Sequence, residues 1–186
     1  MSRVAVVAIG APDGEVLSSV EGAVAAAFGR PVERLAPLPE PPGAFDAGRG
    51  QWSAPEMLLA LLKARPPSAE RILGVTPRDL FIPVLSFVFG QAQMDGPTAV
   101  ISTARISPSF SGLPEDRPLL LQRARKEALH ELGHTFGLVH CPDAGCPMSL
   151  SVGVVQVDRK GEAFCAACAA LLRERAPAPV PEGRRP

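Results

Sequence analysis

The chain has 186 residues, enough for one domain with a proper core, and its 46% hydrophobic and 20% charged residues exclude disorder along the whole length. Its formal net charge is zero and no window gathers a basic run, which excludes the electrostatic footprint of a nucleic-acid or anionic-membrane binder. No apolar stretch approaches the roughly 20 residues needed to span a bilayer.

In chain order, Val4 to Ile9 is an apolar run that Gly10 and Pro12 end too soon for a secretory signal. It reads as a buried strand, and a cytoplasmic location is expected. Between Glu15 and Phe28, Val16, Val20, Ala23, Val24 and Ala27 recur at helical spacing, and Gly29 can stop the helix. A strand from Val32 to Leu35 and a loop rich in proline and glycine, Pro37 to Gly50, follow. Ser53 caps the next helix, with Pro55 in its first turn and Glu56 three residues after the cap. Met57, Leu58, Leu61 and Leu62 form its apolar side, and it stops before Pro66.

Strands are predicted from Arg71 to Val75, Phe87 to Gln91 and Ala99 to Ser102, with Pro83 breaking the apolar segment Leu80–Phe89 in two. A long helix runs from about Asp116 to Phe136. Leu121, Ala124, Ala128, Leu129, Leu132 and Phe136 lay one face of it on the sheet. The chain is then loop-rich to about Glu162 and makes a short helix through Cys168 to Leu172. It ends in a tail, residues 173–186, which carries four prolines and is expected to be disordered. Strands and helices alternate early, so an α/β (α+β) fold is predicted, with one domain over residues 1–172.

The sequence from 130 to 140 is His130-Glu131-Leu132-Gly133-His134-Thr135-Phe136-Gly137-Leu138-Val139-His140. His130 and His134 leave one face of a helix a turn apart, which lets both imidazoles reach one zinc. Glu131 lies next to them, placed to take a proton from zinc-activated water rather than to ligate. Gly137 can adopt the left-handed conformation that ends the helix and brings His140 back as third ligand. Three protein ligands leave a fourth position open, the arrangement of catalytic zinc. The chain has three histidines, and all of them fall on these positions.

Cys141, Cys146, Cys165 and Cys168 all lie in the last quarter of the chain, the latter two as a C-x-x-C. Four thiolates suit a closed, structural zinc site; a redox pair at Cys165 and Cys168, or reduced core cysteines, are the alternatives.

The run His-Glu-x-x-His-x-x-Gly-x-x-His followed by Met148 is the metzincin pattern. Its continuation, His140-Cys141, then Cys146, Met148 and the C-x-x-C, resembles the archaemetzincins in particular. Ile72–Thr76 and Phe87–Ala92 also resemble sheet segments of that family. One departure is a spacer of sixteen residues, Ser149 to Phe164, before Cys165, where the family usually has seventeen. The resemblance implies a zincin-like mixed sheet, a long active-site helix and a loop-rich C-terminal part stabilised by zinc. It also implies one catalytic and one structural zinc per chain, Met148 as an apolar floor beneath the histidines, and the strand at Phe87–Ala92 as the sheet edge above a cleft. For Gly90 and Gln91, backbone pairing with substrate and plain core packing remain equal alternatives.

The expected activity is hydrolysis of peptide bonds, in short peptides, with Glu131 as general base. A peptide is the one partner implied. The alternative is a two-zinc interaction module whose peptidase activity is vestigial or depends on a partner.

Overall fold

A computed structural model describes residues 3–176. Strand β1 (Arg3–Ala8) leads to helix α1 (Gly14–Phe28), which Gly29 ends at φ 59° with its N–H on the Ala25 carbonyl. Strands β2 (Val32–Arg34), β3 (Phe45–Asp46) and β4 (Gln51–Ser53) precede helix α2 (Ala54–Ala64), where the Ser53 side chain accepts from the Glu56 N–H as its sequence predicts. Strands β5 (Ala69–Thr76), β6 (Leu80–Phe81), β7 (Gly90–Ala92) and β8 (Thr98–Ser102) follow, and a 3₁₀ turn at Pro108–Ser111 leads to helix α3 (Arg117–Thr135). Helices α4 (Val154–Arg159) and α5 (Ala166–Arg175) complete the order.

The main sheet runs β2-β1-β5-β8-β7; its first four strands are parallel and β7 is an antiparallel edge. Both faces are buried, and period-two alternation divides the side chains between two cores. Val4, Val6, Leu73, Val75, Ala99 and Ile101 face α1 and α3, whereas Ala5, Val7, Ile72 and Val100 face α2. A fold of the α/β (α+β) class was legible in this alternation. No helix among the described residues is long and apolar enough to cross a membrane.

Four local expectations need correction. The loop from Pro37 to Gly50 contains β3, which joins β4 and β6 in a small second sheet; strands of two or three residues are too short for periodicity to reveal. The strand predicted at Phe87–Gln91 starts at Gly90, because the Val88 N–H turns back to the Leu80 carbonyl at 2.9 Å instead of joining β8. The segment to Glu162 contains α4, whose Asp158 chelates Arg123 of α3 at 2.7 and 2.8 Å. Finally, α5 runs three residues into the segment assigned to a tail, since Leu172 is buried and accepts from Ala176 at 2.8 Å. The rest of that expected disordered tail, 177–186, lies outside the described residues.

Gly74 marks where α2 lies against the sheet: a Cβ there would sit 2.9 Å from Ile9 Cδ1 and 2.9 Å from Leu61 Cδ1. Gly74→Val should overpack this core and lower stability by about 1–3 kcal/mol in denaturant titration. An unchanged midpoint would show that α2 can move off the sheet at little cost.

Two candidate metal centres

Helix α3 is capped by Asp116, whose carboxylate accepts from the Leu119 N–H at 3.0 Å. It ends in a Schellman turn, with Gly137 at φ 79°. The Gly137 N–H reaches the His134 carbonyl at 2.9 Å and the Leu138 N–H reaches the Gly133 carbonyl at 3.0 Å. Arg71 adds a cation at this negative helix end, donating from Nε to the Thr135 carbonyl at 3.1 Å. From the β7–β8 turn, the Asp95 N–H bonds the His134 carbonyl at 2.9 Å, tying the sheet edge to the helix.

The turn has a direct consequence for chemistry. It puts the Leu138 carbonyl 2.7 Å from His134 Nδ1, and the Pro147 carbonyl lies 2.8 Å from His130 Nδ1. A carbonyl oxygen only accepts, so each Nδ1 carries the proton and each Nε2 is left with its lone pair. Those two Nε2 atoms face each other at 3.2 Å, where two acceptors repel. A tetrahedral zinc with bonds of about 2.05 Å would hold its nitrogens roughly 3.3 Å apart. The donor set therefore fits that metal. His140 completes the group, its ring 5.3 Å from His130 and 5.0 Å from His134, and all three side chains offer nitrogens within 4.8 Å of one another. Burial holds His130 well below the ordinary imidazole pKa and lowers His134 and His140 too, with the Lys160 charge adding to the effect, so the rings stay neutral and able to ligate.

Glu131 is buried beside this group, and burial, reinforced by the charge of Glu127, raises its carboxyl well above the usual range. Its neighbour on the sheet edge is Gly90, where a Cβ would lie 2.6 Å from Glu131 Cγ and 2.8 Å from Oε1. Only glycine lets β7 run this close to the carboxylate. Because the Phe89 carbonyl accepts from Ser102 and the Gln93 N–H donates to Thr98, the odd-numbered residues face β8. The backbone groups of Gly90 and Ala92 consequently point outward at the edge.

The four cysteines, all free, converge on a second point: their sulfurs lie within 4.8 Å of one another. Cys141 and Cys165 are 3.7 Å apart, too far for a disulfide and close to the roughly 3.8 Å separation expected around a tetrahedral zinc bonded to sulfur at about 2.3 Å. Burial raises the Cys146 and Cys168 thiols, whereas the Cys168 backbone holds Cys165 below the ordinary value. The two groups share the loop between them: Cys141 N–H bonds the Met148 carbonyl at 2.9 Å, and Pro147 is the residue that orients His130.

Three supporting features had no clear signal in the sequence. Lys160 and Glu127 form a fully buried ion pair at 3.0 Å, with Lys160 Nζ 3.5 Å from His130 Nδ1. Gly133 is bare because Met148 Sδ occupies the place of its side chain. Arg105, chelated by Asp79 at 2.6 and 2.8 Å, lies over the Phe87 ring at 4.3 Å and holds it against the cleft. Only the second was partly legible, since Gly133 is a glycine inside a helix and the family resemblance implied Met148 beneath the histidines.

The profile of peptidase family M54 matches residues 66–174. An archaemetzincin of Methanopyrus kandleri is 46% identical over 141 residues, covering 76% of this chain and 75% of that protein. One from Methanocaldococcus jannaschii is 36% identical over 173 residues, covering 93% and 94%. Among solved structures, the M. kandleri archaemetzincin superposes with a TM-score of 0.83 at 37% identity, covering 94% of each chain. A zinc-dependent peptidase from Methanocorpusculum labreanum gives a TM-score of 0.83 at 30% identity, covering 91% of this chain and 99% of that one.

Removing one partner of a buried ion pair strands the other charge. Lys160→Met should cost about 3–5 kcal/mol by chemical denaturation, and adding Glu127→Gln should recover part of that loss. Additive losses would mean the two side chains do not depend on each other.

Proposed function

The chain belongs to peptidase family M54, the archaemetzincins, and is a zinc metallopeptidase; from that premise we propose that His130, His134 and His140 hold the catalytic zinc and that Glu131 is the general base. The observation that carries this reading is the pair of His130 and His134 Nε2 lone pairs converging at 3.2 Å beside a buried carboxylate. Bound there, zinc supplies a Lewis acid that polarises the scissile carbonyl and makes a water more acidic. Glu131 accepts a proton from that water on a carboxylate oxygen and returns it to the nitrogen of the leaving amine.

The substrate is a short peptide, extended along β7 and paired with the outward backbone groups of Gly90 and Ala92. No tyrosine and no further histidine exist in the chain, and the backbone N–H groups of that edge are donors within the protein that suit the carbonyl oxygen. Cys141, Cys146, Cys165 and Cys168 hold a second, structural zinc, which gives two ions per chain. Met148 is a packed floor and not a ligand. Four thiolates kept reduced for a metal suit the cytoplasm. The peptidase domain reaches the end of α5.

Metal analysis should find two zinc per chain. His134→Ala should lose one and Cys168→Ser the other, with a marked fall in thermal stability for the cysteine variant. A single zinc that survives loss of His134 and vanishes with Cys168 would remove the catalytic assignment.

Glu131→Ala and Glu131→Gln should keep both zincs and slow hydrolysis of short peptides by a factor on the order of 10²–10⁴. Activity unchanged in both would trace to a contaminating protease. Absence of any cleavage by folded, zinc-loaded protein would favour the interaction-module reading.

A further inference from the structure

The residues around the zinc-ligand group enclose a cleft of about 480 Å³, within the range of sites that bind small ligands. Its two rims are apolar and wet. Leu85 and Met94 on the sheet side are 51% and 53% exposed, and Leu150 and Val152 on the facing loop are 58% and 69% exposed. Large apolar side chains left in water on both sides of one groove are held ready for an apolar partner.

The charges are as telling. Among the described residues lining the cleft, the ionisable side chains besides the histidines are Glu127 and Glu131. Glu127 is taken up by Lys160 at 3.0 Å, and Glu131 is the base. Close to the sheet-side rim, Arg49 donates to the Leu85 carbonyl at 3.2 Å and Arg105 is chelated by Asp79. An aminopeptidase needs an uncommitted carboxylate for the substrate ammonium, and a carboxypeptidase needs a cation for the terminal carboxylate. Neither lines this cleft among the described residues.

We infer that the cleft takes an internal, uncharged and apolar segment of an extended peptide, gripped between Leu85 and Met94 on one rim and Leu150 and Val152 on the other, so that cleavage is endopeptidic and flanked by bulky apolar residues. This rests on the peptidase reading and adds the class of substrate to it. The rim side chains set specificity; they do not touch the reacting bond.

Zinc-loaded protein should be given internally quenched decapeptides whose termini are free or blocked and whose central residues are apolar, acidic or basic. Blocked apolar peptides should be cut as well as free ones, and Asp or Lys beside the scissile bond should lower kcat/KM on the order of tenfold or more. Leu150→Ser and Val152→Ser replace exposed side chains, so both should fold with full zinc, and each should raise KM by about three- to tenfold. Val152→Lys should shift the preference toward an acidic residue at that flank. Binding is read separately, by anisotropy of dye-labelled, blocked apolar peptides on Glu131→Gln protein, which should show the same preference. A preference for free termini, or for charged flanks, would overturn the inference and leave the peptidase reading intact. Failure of Glu131→Gln to bind any apolar peptide would also overturn it. Binding with that preference, but no cleavage by wild type, would sustain the inference and sink the peptidase reading.

Discussion

A helix buried over most of its length has to satisfy polar groups that a surface helix would leave to water, and that requirement organises this molecule. From Arg123 onward α3 lies between the sheet and the C-terminal segment, and Arg123, Lys126, Glu127, His130, Glu131 and His134 are all buried. Each needs a partner, because an unpaired buried charge or donor costs several kcal/mol. Arg123 finds Asp158, Lys126 the Asp158 carbonyl, and Glu127 Lys160. Both histidines find backbone carbonyls. What remains are the two facing Nε2 atoms and the Glu131 carboxyl, which together line the cleft.

The need to pair these groups also dictates how the segment after α3 folds back. The Schellman turn at Gly137 presents Leu138 to His134, the following loop presents Pro147 to His130, and α4 carries Asp158 and, one residue beyond its end, Lys160 back to the helix. The cysteine cluster closes that loop onto α5. Its first member, Cys141, directly follows His140, so the position of that histidine depends on a second cluster outside the cleft. Met148, lodged where a Gly133 side chain would be, fixes the depth of the loop beneath the histidines.

On the opposite side, the close run of β7 past Glu131 depends on a single missing Cβ, at Gly90. The antiparallel edge gives the cleft one wall of free backbone groups and the loop at 150–152 gives it a wall of exposed apolar side chains. Ionisable side chains are thereby concentrated at the floor, and the rims are left apolar.

Much of this was legible beforehand. Period-two and helical patterns revealed the main strands and α1, α2 and α3, and the spacing of His130, Glu131, His134, Gly137 and His140 revealed the histidine group, because each depends on neighbours within a few residues. The fourfold cysteine pattern was equally plain in its spacing. The small β3-β4-β6 sheet and α4 were not, since they are too short to have a period and are held by distant partners such as Asp79 for Gln51 and Arg123 for Asp158. Nor could the sequence say that Lys160 meets Glu127 from 33 residues away, or that Val88 pairs with Leu80 and delays β7 until Gly90. Local spacing on the helix and in the turn after it thus determined which histidines come together. Which side chains neutralise one another, and which line the groove, was decided only by the folding of separate segments around α3, where burial makes every unpaired polar group expensive.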